Sequence, residues 1–152
     1  MNKKKQSGVT LVEMLIVVMI IALIAGITFP ALAAGLASVR LNSASGAAAS
    51  FLTATMNRVE RREMPVAVVI APKEDELEVF TAASGEKPER TLHMPQGIFI
   101  EGEEPRRFLL QPGGAFPRMT LVLRNEKGAR RSVRVDPATG VPDIGRADSD
   151  RK

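Results

Sequence analysis

One carboxylate stands apart among the residues able to do chemistry. Glu13 lies inside an otherwise apolar run over residues 9–29, in which Thr10 and Thr28 are the mild exceptions. An ionised group in such a run is costly unless paired, and where it persists it usually serves function. The rest of the chain offers little for catalysis. There is no cysteine, which excludes disulfides, thiolate nucleophiles and cysteine zinc sites. His93 is the single histidine, and one imidazole beside Met94-Pro95 without a partner motif is a poor start for acid–base work. Pro112-Gly113-Gly114 lacks the Gly-Lys-Ser/Thr ending of a phosphate loop and reads as a turn. Asp143, Asp148 and Asp150 lie at short spacing, but the glycine and glutamate of a calcium loop are missing and Arg146 and Arg151 dilute the charge. A polar tail is the better reading there. No catalytic residue, metal or cofactor is therefore expected, and the chain does not read as an enzyme.

The segment holding Glu13 must be positioned by a helix. Residues 1–8 are polar and basic, with Lys3, Lys4 and Lys5 in a row. The 21 residues that follow would span roughly 31 Å as a helix, about the thickness of a hydrocarbon core. Lysines ahead of the span place the N-terminus on the cytoplasmic side and the remainder outside. Three readings compete. A secretory signal peptide has a basic start and a cleavage site such as Ala31-Leu32-Ala33, but its apolar region is usually shorter. A plain single-span anchor leaves Glu13 without a purpose. The third reading accounts for the carboxylate as well.

Gly8-Val9-Thr10-Leu11-Val12-Glu13-Met14-Leu15 resembles the processing signal of type IV prepilins. The resemblance implies that a membrane peptidase cuts between Gly8 and Val9 and methylates the new terminus at Val9. Val9 departs from the phenylalanine usual in that family. Glu13 takes the place of the family's glutamate, implying a role in assembly and register. Physically, pairing Glu13 with the Val9 amine of a neighbouring subunit in a low-dielectric setting favours docking. Snorkelling or protonation of Glu13 is the plainer alternative. Pro30 removes a helical hydrogen bond and clashes with the preceding turn; the family commonly kinks its helix at this place, and Pro30 is the expected kink.

Residues 31–63 again favour helix. They are Ala-rich and, after Pro30, free of proline. Phe51, Leu52, Thr55, Met56 and Val59 form one apolar stripe. Arg58, Arg61 and Arg62 line much of the other side, as a solvated face or a contact for a neighbour. From Pro65 the pattern turns to short apolar runs between Gly, Pro and charge clusters. Strands are expected over 66–70, 76–81, 98–101, 107–110, 119–124 and 132–135, with 66–70 central. Asn125-Glu126-Lys127-Gly128 is a good hairpin turn. The fold class expected is α+β: a long N-terminal helix packed on a small, mainly antiparallel sheet. The parts are a leader over 1–8, a transmembrane and assembly helix over 9–30, its amphipathic continuation over 31–64, a β-rich domain over 65–145 and a polar tail over 146–152.

The net charge of +4 falls by three once Lys3–Lys5 are set aside, so the basic balance says little about partners. Within the domain the charge is divided. Residues 73–104 carry 3 basic and 9 acidic residues, and residues 105–152 carry 11 basic and 5 acidic. Neutralisation within one subunit, complementary contact between stacked subunits and contact with DNA are the three readings. The absence of Trp and Tyr argues against a base-stacking platform and strong nucleic-acid binding.

The segment 58–70, with its helix end, Met64-Pro65 and valine-rich strand, resembles the H-type minor pseudopilins of type II secretion. The likeness continues through His93-Met94-Pro95-Gln96-Gly97-Ile98 and Phe108-Leu109-Leu110-Gln111-Pro112-Gly113-Gly114. It implies a single-pass subunit of the bacterial inner membrane with its C-terminal domain in the periplasm. The implied partners are other pseudopilins or pilins, the prepilin peptidase and methyltransferase, an inner-membrane assembly platform and membrane lipid. A minor pilin of a type IV pilus is the neighbouring alternative. A membrane-anchored binding protein that never assembles is the alternative of another class.

Overall fold

The structure is a computed structural model that describes residues 10–147 and, at residues 30, 31, 33 and 34, the backbone alone. Helical backbone extends over α1, Leu11–Arg62. Its residues divide between two compact units, one ending at Leu36 and one beginning at Ala37.

In the first unit the helical side chains from Leu11 to Phe29 find no partner surface. Large apolar residues such as Leu11, Ile27 and Phe29 are 70–80% exposed. A helix that is apolar all round needs lipid or neighbouring helices to cover it.

The second unit supplies its own cover. Its helical residues bury Leu41, Ala44, Ser45, Ala48, Phe51, Leu52, Thr55, Met56 and Val59, a continuous three- and four-residue spacing that faces the sheets. The stripe expected from Phe51 to Val59 is there, and it reaches back three turns further, on Leu41 and the small residues Ala44, Ser45 and Ala48. The two hydroxyls within it are satisfied by the preceding turn: Ser45 Oγ donates to Leu41 O at 2.9 Å and Thr55 Oγ1 to Phe51 O at 2.8 Å. The helix stops for local reasons. Arg61 and Arg62 complement the dipole in the last turn. Glu63 adopts a left-handed φ of 51°, and Met64 precedes a proline that disfavours helix.

Eight strands follow: β1 Val66–Ala71, β2 Glu76–Thr81, β3 Arg90–His93, β4 Ile98–Ile100, β5 Arg106–Leu110, β6 Met119–Asn125, β7 Arg130–Val135 and β8 Pro142–Gly145. They form two four-stranded antiparallel sheets, ordered β3-β2-β1-β5 and β4-β6-β7-β8. β1 is interior to the first sheet, and Val66, Val68 and Ile70 enter the core with Leu77, Val79 and Leu110. From the second sheet come Ile98, Ile100, Met119, Leu121, Leu123, Val133 and Val135. One core cluster thus joins both sheets to the helical stripe. The α+β class expected from the sequence is the class observed, with two sheets in place of one and with β3 and β8 added.

Two polar residues hold the sheets in place. Asp75, at a φ of 55°, turns the chain between β1 and β2. Its carbonyl accepts from Met94 N at 2.9 Å and its Oδ1 accepts from Ile100 N at 2.7 Å, so the turn of one sheet is tied to the first strand of the other. Asn125 is buried at the end of β6. Its Oδ1 accepts from Lys127 N and Ala129 N at 3.1 and 2.9 Å, and its Nδ2 donates to Ala37 O at 3.4 Å. At Gly140, with a φ of +68°, an added Cβ would come within 2.5 Å of the Phe116 ring, so only glycine fits.

Candidate functional site

The first described turn of α1 contains Glu13 and shows what its carboxylate does within one chain. Thr10 precedes the helix and Glu13 sits three residues on. Glu13 N donates to Thr10 Oγ1 at 3.2 Å, and Thr10 N donates to Glu13 Oε2 at 3.3 Å. This reciprocal pair satisfies two of the orphan amides at a helix start. The carboxylate also complements the positive end of the dipole. Glu13 remains exposed. Thr10 is not among the partners expected for Glu13 from the sequence, although Thr10-Leu11-Val12-Glu13 spells the Thr-x-x-Glu signature of that cap.

Gly8 and Val9, the expected cleavage and methylation sites, lie outside the described residues. The α1 backbone stays helical through Pro30. Two residues earlier, Thr28 Oγ1 donates back to Ile24 O at 2.8 Å, and such back-bonding often bends a helix.

The charged residues of the second unit are placed as follows. Arg58 forms an ion pair with Glu89 in the β2–β3 connection. Arg61 Nε donates to Asn57 O at 3.3 Å, and Arg62 is exposed on the same terminal turn. Arg90 on β3 lies over the Phe51 ring, 5.1 Å from its centre, which places the helix against that face of the first sheet. His93 Nδ1 lies 2.7 Å from Glu76 Oε1, which pairs the exposed histidine with a half-buried carboxylate. Burial pushes the Glu78 carboxyl above its ordinary range, with Glu76 and Glu74 adding to the effect. The acidic and basic segments meet where Arg130 Nε approaches Glu101 Oε1 at 2.7 Å. Glu60 accepts from Gly113 N at 3.2 Å, which pins the Pro112-Gly113-Gly114 turn to the helix. Among the described residues no three His, Asp or Glu side chains converge as a metal site. Asp148 and Asp150 lie outside the described residues.

The helix Leu11–Phe29 has a mean hydropathy of 2.7 and is long enough to cross a membrane, which fits a single-pass anchor. Residues 3–29 match the family model for the prokaryotic N-terminal methylation motif. An apolar helix with that motif, followed by further helix and an antiparallel β domain, is an α+β pilin-like architecture. The motif supports the type IV pilin-like superfamily, whose members are structural subunits processed by prepilin peptidase and assembled with other pilins. No curated protein and no solved structure gives a significant match.

Proposed function

We propose that the chain is a minor pseudopilin of a type II secretion system. It is cut after Gly8, methylated at Val9, held in the bacterial inner membrane by residues 9–30, and drawn into a short periplasmic filament that drives protein export. The observation that carries this reading is the methylation motif over residues 3–29 on a helix whose apolar side chains are uncovered. Such a helix must be solvated by lipid before assembly and by other helices after it. The likeness of residues 58–70 to H-type pseudopilins supports secretion over the pilus. Pro30 is the point at which the helix bends or unwinds on entering the filament.

In this reading Glu13 has two successive partners. In the free subunit it caps its own helix through Thr10. In the filament it accepts the charged Val9 amine of a neighbour, an interaction strengthened by the low dielectric around it.

The test is Glu13→Leu in the native host. The span becomes more apolar, so membrane insertion persists, and the bond after Gly8 is untouched, so processing persists. Cross-linking of cysteine-tagged subunits to partner pseudopilins and export are both expected to fail. Glu13→Asp, one methylene shorter, is expected to fall between. Export and cross-linking at parental levels in the leucine variant would refute the pairing. Intact export with loss of surface pili would reassign the subunit to a type IV pilus.

A further inference from the structure

Strand β5 lies at one edge of the first sheet, and the hydrogen bonds across that sheet fix which of its backbone groups are free. Asp75 O and Val79 O accept from Met94 N and Glu89 N on the β3 side. Backbone groups along a strand turn alternately to its two neighbours, so those of Glu76, Glu78 and Phe80 face β1. Their register partners Ala71, Val69 and Ala67 then face β2, and Val66, Val68 and Ile70 face β5. Leu110, Phe108 and Arg106 answer these three. The N–H and C=O of Arg107 and Leu109 are left pointing away from the sheet. Both residues are exposed, and among the described residues no backbone group pairs with them on that side.

The other edges offer less. In β4 the amides of Ile98 and Ile100 are taken by Pro95 O at 3.0 Å and Asp75 Oδ1 at 2.7 Å. β8 opens on Pro142, which has no N–H, and β3 is only four residues long. An unpaired edge is a template for another strand, and the side chains of β5 define which. Leu109 is 56% exposed and shares the outer face with Ala67 and Phe80. Phe108, on the other face, is half-buried against the core. Arg106 donates to Thr120 O at 3.0 Å. Arg107 lies over the Phe80 ring, 5.8 Å from its centre, and has no carboxylate partner among the described residues. A fitting segment is extended, with apolar residues beside Leu109 and Phe108 and a carboxylate beside Arg107. Glu103 and Glu104, exposed just ahead of β5, oppose a longer run of acids. Two of the five residues of β5 are arginine, so a second copy of β5 would bring four guanidinium groups to one short ladder, which like charge opposes.

We infer that the outward edge of β5 takes an extended segment of a protein other than this chain, apolar with one carboxylate, as a fifth strand of the first sheet. The contact concerns the second unit by itself and does not rest on the secretion reading.

The test uses the full chain, isotope-labelled in detergent micelles, with amide hydrogen exchange read residue by residue. The probe is the peptide acetyl-Thr-Val-Val-Glu-Thr-Lys-amide. In the free chain the amides of Phe108 and Leu110 exchange slowly and those of Arg107 and Leu109 rapidly. With the peptide at about 5 mM, exchange at Arg107 and Leu109 should slow by about tenfold. The same peptide with lysine in place of glutamate should give little protection, and Arg107→Glu should reverse that preference. Leu109→Pro removes an outward donor without touching the ladder to β1; it should abolish the protection at Arg107 while Phe108 and Leu110 stay slow. Rapid exchange at Arg107 and Leu109 throughout the titration would overturn the inference. So would equal protection by the lysine peptide, or peptide-independent protection that grows with protein concentration, which would assign the edge to a second copy.

Discussion

Asn125→Ala is expected to destabilise the domain by an amount that follows from its bonds. The side chain is 3% exposed. It accepts from Lys127 N and Ala129 N and donates to Ala37 O. Each bond contributes about 0.5–1.5 kcal/mol net. Two considerations lower the sum. Lys127 and Ala129 are exposed, so their amides regain water in the variant, and the bond to Ala37 is long at 3.4 Å. The net loss is therefore about 1–3 kcal/mol, or roughly 4–12 °C in the melting midpoint of a domain this size. The assay is thermal and urea unfolding of a fragment beginning at Pro30, which leaves helical residues ahead of Ala37. Lys127→Ala, in the same turn but exposed, serves as control and should stay within about 0.5 kcal/mol of the parent. An alanine variant at position 125 as stable as that control would refute the idea that this side chain ties the β6–β7 turn to the helix.

Three further outcomes are expected of the same fragment. Glu63→Gly relieves a left-handed φ at the helix end and should raise stability by about 1 kcal/mol, read as a midpoint a few degrees higher; a lower midpoint would contradict this. Glu78→Gln should stabilise at neutral pH. The folded carboxyl titrates above its unfolded value, so the parent's stability is full below the unfolded pKa and declines as pH rises through the folded one. The advantage of glutamine should therefore vanish in acid, as denaturation curves at several pH values would reveal. A fragment beginning at Pro65 should not fold, as judged by near-ultraviolet and far-ultraviolet circular dichroism. It loses Leu41, Phe51, Leu52, Met56 and Val59, whose burial contributes about 8–15 kcal/mol, comparable to a whole domain's stability.

Much of this architecture is legible in the residues themselves. Val66-Ala67-Val68-Val69-Ile70 reads as an interior strand because nearly every position is apolar, and β1 is interior. The stripe from Phe51 to Val59 reads as a buried helical face for the same kind of reason. The edge strands are another matter. Arg-Thr-Leu-His in β3 and Pro-Asp-Ile-Gly in β8 are short and hold a single large apolar residue each, so no alternation marks them; they become strands because a neighbour offers its backbone. The division into two sheets is equally silent, since strand pairing is a long-range choice. Asp75 and Asn125 look like ordinary turn residues, and only the fold reveals their reach to Ile100 and Ala37. At the N-terminus the motif around Glu13 is plain, and the cap it forms with Thr10 is equally legible in Thr10-Leu11-Val12-Glu13.

Processing after Gly8 is tested most directly by the mass of the mature N-terminus in the native host. A chain beginning at Val9 and heavier by one methyl group, about 14 Da, is expected, and an uncut precursor when Gly8 is replaced by a bulky residue. A mature chain beginning at Ala34, or one that keeps Met1 to Gly8 in the presence of an active prepilin peptidase, would contradict it.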